Sequence, residues 1–192
     1  MPRLSKTLFR SLVIPILKLI GPIFFDRKYL TGRHFEGQTT GWYWVWRSIF
    51  IQKIVGFNRH VPWPVSPLIV ISRWENLIFD PDDLNNFQTI GCYYQNFSGK
   101  IVIGKGTYIA PNVGLITANH DPCDLNRHLP AEDVIIGEKC WLGMNSVILP
   151  GVNLGAMTVV GAGSVVTKSF PEGQCLIGGV PAHFIKKLEC SD

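Results

Sequence analysis

An aliphatic residue returns every six positions through the second half of this chain: Ile136, Leu142, Ile148, Leu154, Val160 and Val166. Glycine follows it at 137, 143, 155 and 161. Four places after each aliphatic stand Cys140, Ser146, Val152, Thr158, Ser164 and Phe170, most of them small. Ile103, Ile109 and Leu115 keep the same step earlier, followed by Gly104, Ala110 and Ile116. Leu115 and Ile136 are 21 residues apart, which is not a multiple of six, so a loop leaves the repeat over about 121–133. A period of six fits neither the 3.6 of a helix nor the 2 of a strand. It fits a three-sided solenoid with one hexapeptide per side, the aliphatic inward and small residues at the corners. A long helix cannot hold this many glycines, each costing about 1 kcal/mol relative to alanine.

Composition narrows the remaining choices. Of 192 residues, 46% are AVILMFWYC and 17% are charged, which excludes a disordered chain. The length suits one domain with a small appendage. A net charge of +4 with no run of Lys or Arg gives no electrostatic footprint for nucleic acid. The five cysteines (92, 123, 140, 175, 190) are odd in number and none forms CxxC. A disulfide framework or zinc ribbon is therefore not indicated, and free thiols fit a reducing compartment.

Residues 1–75 differ from the repeat. They carry Trp42, Tyr43, Trp44, Trp46, Phe50, Phe57, Trp63 and Trp74. A helix over about 41–55 would set Val45, Ile49 and Gln52 near one face. Residues 60–67 hold three prolines, read as an extended connector into a strand over 68–71. The start is apolar from Ser11 to Phe25, preceded by Arg3, Lys6 and Arg10, in the manner of a signal peptide. Lys18 interrupts it, and no alanine occurs before Ala110 to form an A-x-A cleavage site. The run is shorter than the ~20 residues that span a bilayer, and Pro15 and Pro22 would break it. Two readings stand: the segment covers the end of the core, or residues 11–25 make peripheral contact with the cytoplasmic face of a membrane.

Five motifs carry a family resemblance: Ile116-Thr-Ala-Asn-His-Asp121, Cys140-Trp-Leu-Gly-Met-Asn145, Ile148-Leu-Pro-Gly-Val152, Val160-Gly-Ala-Gly-Ser-Val-Val-Thr-Lys168 and Gly178-Gly-Val-Pro-Ala182. Through them the chain resembles the hexapeptide-repeat acyltransferases, especially the galactoside, maltose and xenobiotic O-acetyltransferase group. The resemblance implies an all-β, left-handed parallel β-helix over 76–182, with the loop 121–133 protruding. Before it come the partly helical, aromatic-rich residues 1–75, and after it a tail or short helix over 183–192. It implies acetyl-CoA as co-substrate with no metal, a homotrimer with sites between subunits, and a cytoplasmic location. The acceptor implied is a small molecule or glycan, with the hydroxyl of a sugar in polysaccharide or glycolipid biosynthesis preferred.

The site residues follow from that resemblance. His120 takes the place of the general base; imidazole suits the task because it titrates near ambient pH. Asp121 is set with Asn96 on the acceptor side of the site; it either orients the His120 ring or caps the loop, and capping is preferred. Asn96, in Tyr94-Gln-Asn-Phe-Ser98, matches an asparagine that binds the acceptor. Trp141 matches a tryptophan at the acyl-CoA groove, though it could equally pack a corner. Met144 departs from the small residue usual in relatives, leaving its backbone N–H as an oxyanion donor. Gly143, Gly161 and Ala162 match positions where backbone passes the pantetheine arm, or simply turn corners. Thr167, Lys168, Pro181, His183, Lys186 and Lys187 match the end that meets CoA, its phosphates held by basic residues. His183 replaces an arginine there.

Three alternatives remain. A carbonic anhydrase on the same solenoid needs three metal-bound histidines, and of His34, His60, His120, His128 and His183 only His120 and His128 are near in sequence. A non-enzymatic β-helix scaffold would need neither His120 in its motif nor the basic end. N-transfer to an amino sugar uses the same base.

Overall fold

The computed structural model describes residues 6–189; Arg3 and Cys190 lie outside the described residues. The chain divides into two compact units, Met1–Pro67 and Leu68–Asp192. The boundary falls before Val70–Ile71 because that strand already pairs with Tyr93–Tyr94 in the repeat unit. The aromatic-rich composition runs eight residues further than the first unit.

In the second unit the hexapeptides visit three parallel sheets in rotation. The first sheet orders Val70–Ile71, Tyr93–Gln95, Gly114–Ile116, Val147–Ile148 and Val165–Val166. The second contains Tyr108–Ile109, Trp141–Leu142, Val159–Val160 and Cys175–Gly179. The third contains Leu77–Ile78, Ile101–Ile103, Val134–Ile136 and Asn153–Leu154. Ile136 pairs with Leu154, Leu142 with Val160 and Ile148 with Val166. Each of these three circuits thus takes 18 residues. All six of these side chains are buried, each contributing about 1.5–3 kcal/mol of apolar burial.

The corners explain the two companion positions of the repeat. A Cβ at Gly137 would lie 2.5 Å from Ala156 N, and one at Gly143 2.5 Å from Val160 O. Glycine is required there because the next coil's backbone passes directly over it. The small residue three places later seals the same corner. Thr158 Oγ1 donates to Gly155 O at 2.7 Å and Ser164 Oγ to Gly161 O at 2.6 Å. Left-handed residues stack at two corners, Asn112, Asn145 and Gly163 at one, Lys139, Met157 and Gln174 at the other. Asn112 Nδ2 donates to Asn145 Oδ1 between coils.

The C-terminal residues correct the expected tail or helix. Ala182–Lys187 is a strand, antiparallel to Cys175–Gly179, at the edge of the second sheet. Gly178 and Gly179 permit the chain to turn back there, with φ +103° at Gly179.

In the first unit, helical residues run from Lys6 to Phe24, with a π-helical stretch over Phe9–Val13. That stretch ends two residues before Pro15, which cannot donate to the turn behind it. Pro22 lies inside the helix Ile14–Phe24 rather than ending it; it removes one amide donor only a turn from the C-terminus. The helix predicted over 41–55 is Thr40–Ser48, continuing as a π-helix over Ile49–Val55. Val45 and Gln52 are buried as the spacing expected, whereas Ile49 is half-buried. Gln52 pins the proline connector: Nε2 donates to Val61 O and Trp63 O, and Oε1 accepts from Val65 N. Among the described residues no helix is long and apolar enough to cross a membrane.

Candidate active site

The predicted loop is an excursion between the first and third sheets. It adds 15 residues to one 18-residue circuit, since Ile103 and Ile136 pair across 33 positions. Glu132 N→Thr117 O (2.8 Å) and Leu129 N→Asn119 O (2.9 Å) close its base. Its arms, His120–Asp121 and Asp124–His128, pair antiparallel with a register shift after His120.

His120 stands exposed at the start of this hairpin. Its Nδ1 lies 2.8 Å from Leu125 O. A carbonyl only accepts, so Nδ1 carries the proton. In the neutral ring Nε2 is then the unprotonated nitrogen, a lone pair with the opposite nitrogen anchored. The His128 ring lies beside it, centroids 4.3 Å apart, and Phe97 sets its edge against His128 at 4.9 Å. Asp121 does not reach the ring: its Oδ1 accepts from Cys123 N at 2.9 Å, forming an Asx turn around Pro122.

Asn96 is placed differently from the expectation. It is 0% exposed. Oδ1 accepts from Arg73 N at 3.0 Å and Nδ2 donates to Arg73 O at 2.6 Å. The amide mimics a strand partner for the neighbouring coil and has no surface to offer an acceptor. The adjacent Gln95 was not singled out in the sequence, yet it serves the site more directly. Oε1 accepts from Thr117 N and Ala118 N, and Nε2 donates to Ala118 O. It fixes the backbone that leads into His120. Nothing in the local pattern marks it, because its partners lie 22 and 23 residues away.

The other predicted positions form a second group at the corner between the second and first sheets. Trp141 is exposed on the second sheet, beside Tyr108 and Val159 in register. The corner then stacks coil upon coil: Gly143 N→Val160 O, Gly163 N→Met144 O and Gly161 N→Ile177 O. Among the described residues no acceptor is placed against Met144 N–H. Gly143 is explained by the overlying coil, whereas a Cβ at Gly161 would meet Ile177 O at an ordinary 3.4 Å. Ala162, Pro181, His183, Lys186 and Lys187 are exposed around the same end, the last three on the closing strand. His183 lies opposite Gly178, and Lys186 opposite Leu176. Thr167 and Lys168 are exposed just beyond the first sheet, with Lys168 Nζ 5.7 Å from the Phe170 ring centroid. Among the described residues, no three of His, Cys, Asp and Glu gather into a group that could hold a metal.

The model for "Hexapeptide repeat of succinyl-transferase" matches residues 133–168. WbbJ of Escherichia coli (strain K12), a candidate lipopolysaccharide biosynthesis O-acetyl transferase, is 41% identical over 100 residues, 45% of this chain and 50% of that one. The galactoside O-acetyltransferase of the same organism is 36% identical over 109 residues, 52% of this chain and 53% of that one. A solved galactoside acetyltransferase in complex with coenzyme A superposes with a TM-score of 0.55 at 27% identity, over 66% of this chain and 62% of that chain. The chain thus spans about half the length of the curated relatives it matches.

Proposed function

We propose that this chain, which resembles the hexapeptide-repeat acyltransferases, transfers an acetyl group from acetyl-CoA to a sugar hydroxyl. The observation that carries the reading is the His120 Nδ1–H bond to Leu125 O, which leaves Nε2 unprotonated on an exposed hairpin. Nε2 would take the proton of the acceptor hydroxyl as its oxygen attacks the thioester carbonyl carbon. The tetrahedral intermediate would then expel the CoA thiolate, which recovers the proton from the imidazolium. No covalent acyl-enzyme forms. Met144 N–H is the candidate donor to the oxyanion, and Gln95 is a positioning residue behind His120.

The co-substrate would run along the corner stack, with the exposed indole of Trp141 covering the thioester end. Gly161, Ala162 and Pro181 would leave room for the pantetheine arm and adenine. Lys168, His183, Lys186 and Lys187 would face the phosphates. In this reading the three sheets wind as a left-handed solenoid, and three copies assemble with a site at each subunit boundary. His120 and the corner stack occupy different edges of the repeat unit, and such an assembly is what would join them. The names of WbbJ and the galactoside enzyme favour a glycan or sugar acceptor, and acetyl-CoA supply sets the reaction on the cytoplasmic side.

Release of free CoA thiol, measured with acetyl-CoA against a panel of hexosides and lipid-linked glycans, tests the assignment. The expected result is release that depends on one acceptor class and yields an alkali-labile ester. Acceptor-dependent release that yields an alkali-stable amide would move the assignment to N-transfer.

A further inference from the structure

We propose that the first unit docks on an anionic membrane surface through two apolar stripes. One was foreseeable as an apolar block; the other lies on the tryptophan-rich helix and has no counterpart in the proposed chemistry. On the first helical segment Ile14, Leu17 and Gly21 are buried, facing Trp42, Val45 and Leu30 at Gly21. The opposite side presents Leu8, Leu12, Ile16, Leu19 and Ile23 to solvent, spaced by three or four residues. Leu19 is 78% exposed and Ile23 76%. On the second segment Tyr43, Trp46, Phe50 and Ile54 repeat the same spacing, with Phe50 60% and Ile54 61% exposed. The two segments pack on each other, and at one end Phe9 sets its ring edge against Tyr43, 6.3 Å between centroids. The stripes are therefore carried by one small body. Soluble surfaces rarely expose contiguous apolar side chains in such number unless they meet a partner.

Charge decides which partner. Residues 1–67 hold ten Lys or Arg and two acidic residues, Asp26 and Glu36, a net +8. Residues 68–192 hold eight basic and twelve acidic residues, a net −4. The charge of the chain is thus segregated onto the unit that carries the stripes. A second copy on the same surface would set +8 against +8. An anionic lipid leaflet answers both the apolar side chains and the charge. Tyr43 and Trp46 are of the amphipathic kind that settles at headgroup level. Lys18 lies 6.0 Å from the Trp42 ring, and Arg10 stands exposed between Leu8 and Leu12. A polar depression lined by Thr7, Arg10, Ser11, Gly37, Gln38 and Thr39 adjoins that end, with hydroxyls and a guanidinium suited to a phosphate-bearing headgroup.

Flotation of the full chain with lipid vesicles tests this independently of catalysis. Vesicles of phosphatidylcholine with about a third phosphatidylglycerol should carry the protein up, and pure phosphatidylcholine about tenfold less. Raising the salt should weaken binding. Leu19→Glu with Phe50→Glu should reduce flotation by about tenfold or more, with thermal midpoint, oligomeric mass and acetyl-CoA binding unchanged, since both side chains are exposed. Arg10→Glu with Lys18→Glu, which leaves the stripes intact, should lower binding to the anionic vesicles alone. Equal flotation of wild type and the Leu19/Phe50 variant would overturn the proposal. A wild-type chain that stays with the soluble fraction on both lipids would overturn it too. A variant that changes mass in sedimentation but not flotation would assign the stripes to a subunit contact instead.

Discussion

His120→Ala should lower turnover by a factor of about 10² or more while leaving acetyl-CoA affinity within about twofold. The asymmetry follows from where the residue stands. His120 lies on the excursion that leaves the first sheet, whereas the proposed CoA path follows the corner between the second and first sheets. Removing the imidazole deletes the lone pair that would accept the hydroxyl proton and touches nothing in the corner stack. Calorimetric affinity and steady-state turnover on the same preparation read both quantities. Parallel loss of binding and turnover would move His120 out of the base role and into the cofactor site.

Gly155→Ala should cost about 3 kcal/mol, lowering the melting temperature by about 6–12 °C. A Cβ at 155 would press on Pro171 O and lie 2.6 Å from Gly173 N in the next coil. Backbone cannot rotate away as a side chain could. The coils would have to part, straining Gly155 N→Phe170 O at 2.9 Å and Gln174 N→Ala156 O at 2.8 Å. Gly163→Ala is the matched control. That residue has φ +70° but no atom within 4 Å of its Cβ position. It should cost only the left-handed penalty of about 1 kcal/mol. Thermal melts of the two variants side by side measure the difference. Equal losses would mean that the coils yield to a Cβ at 155 and that clearance is not what requires glycine there.

These two cases show what the amino-acid order makes legible. Ile136 through Val166 declare the six-residue step, and because every inward contact repeats that step, the three sheets and their register follow from it. The glycines after Ile136, Leu142, Leu154 and Val160 are equally readable as part of the step, and at Thr158 and Ser164 the companion hydroxyl bonds the carbonyl three residues back. His120 is marked by its motif, and its hairpin has a local sign as well: Asp121-Pro-Cys-Asp124 is turn chemistry, with Asp121 Oδ1 accepting from Cys123 N.

What was not legible depends on pairings remote in sequence. Asn96 reads as an acceptor ligand until its amide is seen against the backbone of Arg73, 23 residues earlier. Gln95, one position away, holds Thr117 and Ala118 instead, and alternation of strand faces alone does not separate the two. Ala182–Lys187 carries His183, Lys186 and Lys187 among Phe184 and Ile185, a pattern with no period. It becomes a strand only because Cys175–Gly179 leaves a sheet edge open to it. The apolar start carries aliphatic side chains on more than one side of its helix, so its sequence does not say which side packs. Packing by Ile14, Leu17 and Gly21 divides it into an inner and an outer face.

Titration calorimetry of the full chain with acetyl-CoA addresses the central claim most directly, since every proposed step begins with that co-substrate in the corner stack. The account predicts saturable micromolar binding, one site per subunit, weakened by Trp141→Ala and by Lys186→Glu. Absence of binding in a folded oligomer would contradict it and leave the repeat as a scaffold.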